Sequence, residues 1–204
     1  MTDHPEIEYR IYIPTGFRQN EPTVIVLNQA PWGFESQPLA VSAAEQLNWI
    51  SVGLPDFGAG QTAEGYLLSN PDSFYVIMDL LSRFTVARRG LIFAGFSEGA
   101  RRSAPRANAF RGFTGGMIDI DMGAWSTEQV DHSVPVFFIV ADNNGDARRE
   151  SWIRSVGETL ERDYTWGRLE EFAGTHSWGP QALHNEALLW LAQVRADPRF
   201  QNGY

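Results

Sequence analysis

Leu91-Ile92-Phe93-Ala94 runs straight into Gly95-Phe96-Ser97-Glu98-Gly99, with Ala100 behind it. An apolar run of this length reads as a buried strand, and the residues after the pentapeptide read as a helix. A G-x-S-x-G sequence between strand and helix demands a sharp turn. Its glycines leave room for strand and helix to approach closely, and its serine is forced into a strained backbone conformation. The Ser97 hydroxyl then stands clear of the sheet edge, beside helix N-terminal amides able to hold a developing negative charge.

The rest of the chain suits a strand-turn-helix unit of this kind. Its 204 residues fit one domain, 1–204, with a sizeable core, and 43% hydrophobic with 20% charged residues is ordinary for a soluble globular protein. Short apolar runs alternate with amphipathic ones, the pattern of a mostly parallel α/β sheet with helices on both faces. Strands are expected near Glu8–Pro14, Thr23–Leu27, Trp49–Leu54, Leu91–Ala94, Phe113–Ile120, Val134–Ala141 and Arg168–Phe172. Helices are expected over Gln37–Leu47, Asp72–Phe84, Glu98–Ala109, Ala147–Arg162 and Pro180–Val194, with Pro105 set to kink or end the third.

Charge and composition exclude several classes of function. A net charge of −9 without a basic stripe argues against nucleic acid, whose binding is driven by Lys and Arg neutralising phosphates. With no cysteine there is no disulfide, thiolate metal site or cysteine nucleophile. No metal-ligand spacing and no phosphate-cradling glycine motif occurs, so neither metal nor cofactor is expected. The N-terminus lacks both a positive n-region and an apolar h-region, and no run is long enough to span a membrane. The expectation is a soluble protein, cytoplasmic where Met1 is native and secreted where a leader was removed.

A serine hydroxyl needs a base, and four histidines are available. His4 lies in the terminus, His132 precedes a strand, and His184 falls inside the last helix. His176, in Gly174-Thr175-His176-Ser177-Trp178-Gly179-Pro180, follows the last strand, at the edge where strand ends collect functional loops. It is the expected general base, in the chain order Ser before His. Trp32, Trp125 and Trp178 fall on loops at the same edge, where they form an aromatic cleft for an acyl group or simply cover the sheet ends. Arg101 and Arg102 are expected to face solvent or pair with neighbouring carboxylates. Asp119 and Asp121, alternating with Ile118 and Ile120, suggest one buried and one exposed strand face.

The serine turn followed by a histidine loop and a C-terminal helix resembles the α/β-hydrolase fold over nearly the whole chain. It is most similar to compact, lid-less serine esterases of the feruloyl-esterase, polyhydroxyalkanoate-depolymerase and dienelactone-hydrolase kinds. The resemblance implies that Ser97 attacks a small-molecule or polymeric carboxylic ester and that His176 carries the proton. The backbone amides of Glu98 and Ala30 would hold the oxyanion, with Gln29 or Trp32 as other donors, in a loop that lacks the family's usual glycines. It also implies an acid after the Val134–Ala141 strand. The position that usually carries it is Asn144, which leaves Asp146 as the first choice, Asp142 as the second, and Asn144 or an acid of the preceding loop as further options. A binding protein that retains only the fold, and a peptidase or amidase on the same groups, remain the alternative functions.

Overall fold

The computed structural model describes residues 7–31, 40–55, 71–121, 131–143 and 146–202. Seven strands form one sheet in the order β1-β3-β2-β4-β5-β6-β7. They are β1 (Arg10–Tyr12), β2 (Thr23–Gln29), β3 (Ile50–Gly53), β4 (Val86–Phe96), β5 (Thr114–Ile120), β6 (Val136–Ala141) and β7 (Gly167–Phe172). Only β1, on the edge beside β3, runs antiparallel. Among the described residues six helices accompany them: α1 (Val41–Leu47), α2 (Pro71–Arg83), α3 (Glu98–Ala109), α4 (Ala147–Asp163), α5 (Gln181–Ala196) and α6 (Pro198–Asn202). The expected elements are therefore present, with α6 added and with α3 continuing through Pro105.

Burial explains why the sheet holds together. Every residue of β2, β5 and β6 is buried, the signature of parallel strands covered on both sides. Side chains of α2, α3 and α4 pack on one face, among them Ile77, Leu80, Ala104 and Ile153, against Ile25, Phe93 and Phe138. Ala43 of α1 and Ala187, Leu188 and Leu191 of α5 pack on the other, against Val26, Ile92 and Phe137. Each fully buried Leu, Ile or Phe contributes roughly 1.5–3 kcal/mol, so the central strands carry most of the stability. No helix among the described residues is long and apolar enough to cross a membrane.

The strand order reverses direction between β2 and β4, since β2 leads to β3 on one side while β4 leads to β5 on the other. A crevice opens where neighbouring strands send their chains to opposite sides. Here the C-terminal ends of β2 and β4 deliver Gln29-Ala30 and Ser97 to it. Two glycines make that junction physically feasible. A Cβ on Gly95 would stand 2.4 Å from the Gly99 carbonyl carbon and 2.5 Å from the Ala100 nitrogen. A Cβ on Gly99 would stand 2.3 Å from the Gln29 carbonyl oxygen and 3.2 Å from the Ala30 nitrogen.

One buried group works against stability. Asp119 is fully buried in the middle of β5, and neither carboxyl oxygen has a hydrogen-bond partner among the described residues. Burial pushes its pKa well above the usual carboxylate range, the neighbouring Ser103 hydroxyl acting in the opposite direction without meeting either oxygen at full hydrogen-bond geometry. The alternation reading, with one strand face exposed, is corrected by the sheet: β5 is a central strand, and Asp119 and Asp121 are both buried.

Two stability predictions follow from this packing. Gly99→Ala forces a methyl into the Gln29 backbone and should cost about 2–3 kcal/mol in urea unfolding. For Asp119 the folded protein holds a proton that the unfolded chain releases, so stability falls as pH rises above the ordinary carboxylate range. Asp119→Asn removes that dependence. Its melting temperature should match the wild type in acid and exceed it increasingly towards neutral pH, as followed by circular dichroism.

Candidate active site

Three residues stand just past the ends of three neighbouring strands, each held by the backbone ladder. The Ser97 N–H donates to the Ile120 carbonyl at 2.9 Å, the Asp121 N–H to Ile139 at 2.7 Å, and the Asp142 N–H to Phe172 at 2.9 Å. Ser97 and Asp121 therefore lie side by side across β4 and β5, one inter-strand spacing of roughly 4.8 Å apart, while Asp142 stands two residues further along β6 than the position level with Asp121. Ser97 has φ 55° and ψ −118°, a strained conformation for a residue with a side chain. Asp121 is also left-handed, at φ 47°, a region Asp tolerates better than most.

The loop after β7 brings His176 back over this row. Its Nδ1 lies 2.6 Å from Asp121 Oδ2, and its Nε2 lies 2.8 Å from Ser97 Oγ. A carboxylate only accepts, so Nδ1 carries the hydrogen and Nε2 presents a lone pair to the serine hydroxyl. The tautomer is thus the one in which the imidazole can take the hydroxyl proton. The ring is held from below by stacking on Phe96, with centroids 4.7 Å apart, and Trp178 stacks on the same phenyl ring at 4.9 Å. The His184 side chain, buried in α5, bonds the Trp178 carbonyl, and burial pushes its pKa below the usual imidazole range.

Asp121 is saturated with donors. Besides the imidazole, it accepts the Ala141 N–H at 3.2 Å and the Arg149 guanidinium, both on Oδ1. The carboxylate is 2% exposed, so these bonds replace nearly all of its hydration.

The expectation that Asp146 partners the histidine is corrected. Asp146 is the N-cap of α4, accepting the Arg148 N–H at 2.8 Å and the Arg149 N–H at 3.3 Å, and its side chain is exposed. Asp142 serves the loop rather than the ring: its Oδ1 accepts the Gly174 N–H at 3.0 Å, tethering the segment that carries His176. Asn144, Trp32 and Trp125 lie outside the described residues. The acid that meets the imidazole comes one strand earlier than expected, from β5. The sequence signal for it is an aspartate directly behind the apolar run of an expected strand, a position that strand alternation equally explains.

The expected oxyanion amides sit at the switch point. Glu98 opens α3, and its side chain pairs with Arg101 at 3.2 Å. Ala30 is fully buried against the first turn of α3, its nitrogen 3.2 Å from where a Cβ on Gly99 would stand. Behind it, the buried Arg106 of α3 bonds the Gln29 side-chain oxygen and ties the β2 loop to the helix. Burial, reinforced by the charge of Arg102, pulls the Arg106 pKa down to about 9. Arg102 is itself buried, so of its two expected placements, facing solvent or pairing with a carboxylate, the first does not hold. Among the described residues no three His, Asp or Glu side chains converge as a metal site.

No protein-family model matches the chain, and a search of curated proteins returns no match. Solved structures do match it. A thermostable esterase aligns over 91% of this chain at 16% identity with a TM-score of 0.63, and the chain spans 58% of that protein's length. S-formylglutathione hydrolase (FrmB) from Staphylococcus aureus aligns over 90% of this chain and 91% of its own, at 11% identity and a TM-score of 0.64. Est1E from Butyrivibrio proteoclasticus aligns over 92% and 95%, at 14% identity and a TM-score of 0.62. At such low identity the shared property is the fold, and the sheet order, the serine turn and the histidine loop agree with it. The chain has the α/β-hydrolase fold.

Proposed function

We propose that this protein is a serine hydrolase that cleaves carboxylic esters through an acyl-enzyme. The observation that carries this reading is the hydrogen-bonded chain from Ser97 Oγ through His176 to Asp121, mounted on a strained strand-to-helix turn. Ser97 attacks the ester carbonyl while His176 Nε2 takes its proton. The imidazolium that forms is stabilised by Asp121, and it returns the proton to the leaving alcohol. The tetrahedral oxyanion faces the amides of Glu98 and Ala30, where the α3 N-terminus adds a favourable dipole. Water, activated by the same histidine, then attacks the acyl group and frees Ser97. Trp178, beside His176 on the Phe96 stack, offers an apolar wall for the substrate.

An ester is favoured over an amide because its leaving group needs less protonation. Two sequence features favour a binding-only protein: Asn144 where an acid usually sits, and the unusual Asn28–Trp32 loop. With Asp121 hydrogen-bonded to the imidazole, the first no longer counts against catalysis. The likeness in fold to esterases among the solved structures supports the same substrate class without identifying the acyl or alcohol group.

Hydrolysis of p-nitrophenyl esters by four variants tests the reading. Ser97→Ala should abolish turnover. Asp121→Asn should lower kcat by about 10³- to 10⁴-fold, because the amide no longer selects the Nδ1–H tautomer or stabilises imidazolium. Asp146→Ala should keep kcat within about twofold while costing about 1 kcal/mol of stability through the lost helix cap. Asp142→Ala should fall between these, acting through the loop. Turnover that survives Ser97→Ala undiminished would reject the proposal.

A further inference from the structure

A second charge reaches the acid of this site. Arg149, in the first turn of α4, pairs through Nη2 with Asp121 Oδ1, the oxygen that does not face the histidine. Its Nε donates to the Ala141 carbonyl at 3.1 Å, and its guanidinium lies 4.3 Å from the centre of the Trp152 ring. Three anchors on three different groups fix the fork in place. With its side chain 14% exposed, the cation is weakly screened from Asp121. The helix cap Asp146 accepts the Arg149 N–H and so sets the start of the helix that delivers this arginine.

We propose that Arg149 is the positioning residue of the site: its guanidinium holds the Asp121 carboxylate towards His176 and, by sharing that charge, sets the pH at which the histidine is free to act as a base. The inference rests on the serine-hydrolase reading for its functional meaning, but its physical core does not need turnover. With Arg149 present, the resting arginine, carboxylate and neutral imidazole sum to zero charge, and binding a proton makes the group +1. Without the guanidinium the resting pair is −1, and binding a proton neutralises it. Proton uptake by the coupled Asp121–His176 pair is therefore harder with Arg149 in place, whichever of the two atoms receives the proton. The arginine keeps the base unprotonated to lower pH. During catalysis the imidazolium then finds its extra negative partner in the substrate oxyanion.

The other ionisable groups around His176 among the described residues are accounted for. Asp142 at the end of β6 bonds the Gly174 amide, Glu98 and Arg101 on α3 pair with each other, and His184 on α5 bonds the Trp178 carbonyl. Asp146 and Arg148 lie at the exposed start of α4. None of these makes the direct link to the carboxylate that Arg149 makes.

The test is the titration of the His176 imidazole by NMR, its signal assigned by loss in His176→Gln, in wild type, Arg149→Met and Arg149→Lys. Arg149→Met should raise the midpoint by about one pH unit, while Arg149→Lys, which keeps the charge, should stay within about 0.3 of wild type. The acid limb of kcat/KM for a p-nitrophenyl ester should move by the same amounts. If Arg149→Met does not fold, Arg149→Gln keeps two N–H donors without the charge and carries the same expectation. A folded, uncharged variant whose midpoint is unmoved, even with reduced kcat, overturns the proposal and leaves Arg149 a packing residue. Failure of the hydrolase reading is separate: wild-type protein that turns over no ester refutes that reading, while a shifted His176 midpoint still upholds the charge coupling.

Discussion

The site depends on the hydrogen-bond ladder of the parallel sheet continuing one residue beyond each strand. Ser97, Asp121 and Asp142 each donate a backbone N–H to the next strand over, which sets Ser97 and Asp121 level on β4 and β5, with Asp142 two residues further out on β6. Parallel strands place all their C-terminal ends on one edge, so residues far apart in the sequence arrive there at fixed spacing. The loop after β7 has only to fold back over β6 for His176 to reach both Asp121 and Ser97. Asp142, bonded to the Gly174 amide, ties that loop down on the way. The precision needed for proton transfer is thus inherited from backbone geometry, and the side chains refine it.

Burying polar groups beneath this edge has an energetic cost that the fold only partly offsets. Asp121 is compensated by three donors: an imidazole, an amide and a guanidinium. Arg106 bonds Gln29, and in doing so braces the loop that carries the Ala30 amide. Asp119, two residues before Asp121 on the same strand, has no such compensation and is held towards its neutral form by burial. The contrast between two aspartates of one strand is instructive. The carboxylate at the site is surrounded by hydrogen-bond donors, and the one in the core is driven towards its neutral form by burial.

Most of the fold was legible because each element obeys a local rule. The fully buried run of β6 and the glycine-flanked serine turn are periodicity and turn chemistry, and both appear where expected. Pro105 failed to end α3 because tertiary packing of Ala100, Ala104 and Ala107 on the sheet outweighs one missing helix hydrogen bond. At the site, Ser97 and His176 could be singled out by motif and loop position. Asp121 could not, since choosing among acids requires knowing which strand lies beside β4. That neighbour relation is long-range: strand order in the sheet places β5 next to β4, with β6 one strand further away. Asp146 resembles the acid for a local reason, because a helix N-cap and an acid at a strand end use the same residue type in the same kind of sequence. Arg149 was legible only as one of the charges on a helix face.

The account stands on Ser97 being a hydroxyl activated by His176. Reaction of the folded protein with a fluorophosphonate, with the adduct located by peptide mass spectrometry, addresses this most directly. The label should sit on Ser97 alone, form in proportion to the unprotonated fraction of His176 as pH is varied, and vanish on prior unfolding. Folded protein that leaves Ser97 unlabelled at neutral pH, or labels it equally well after unfolding, would contradict it.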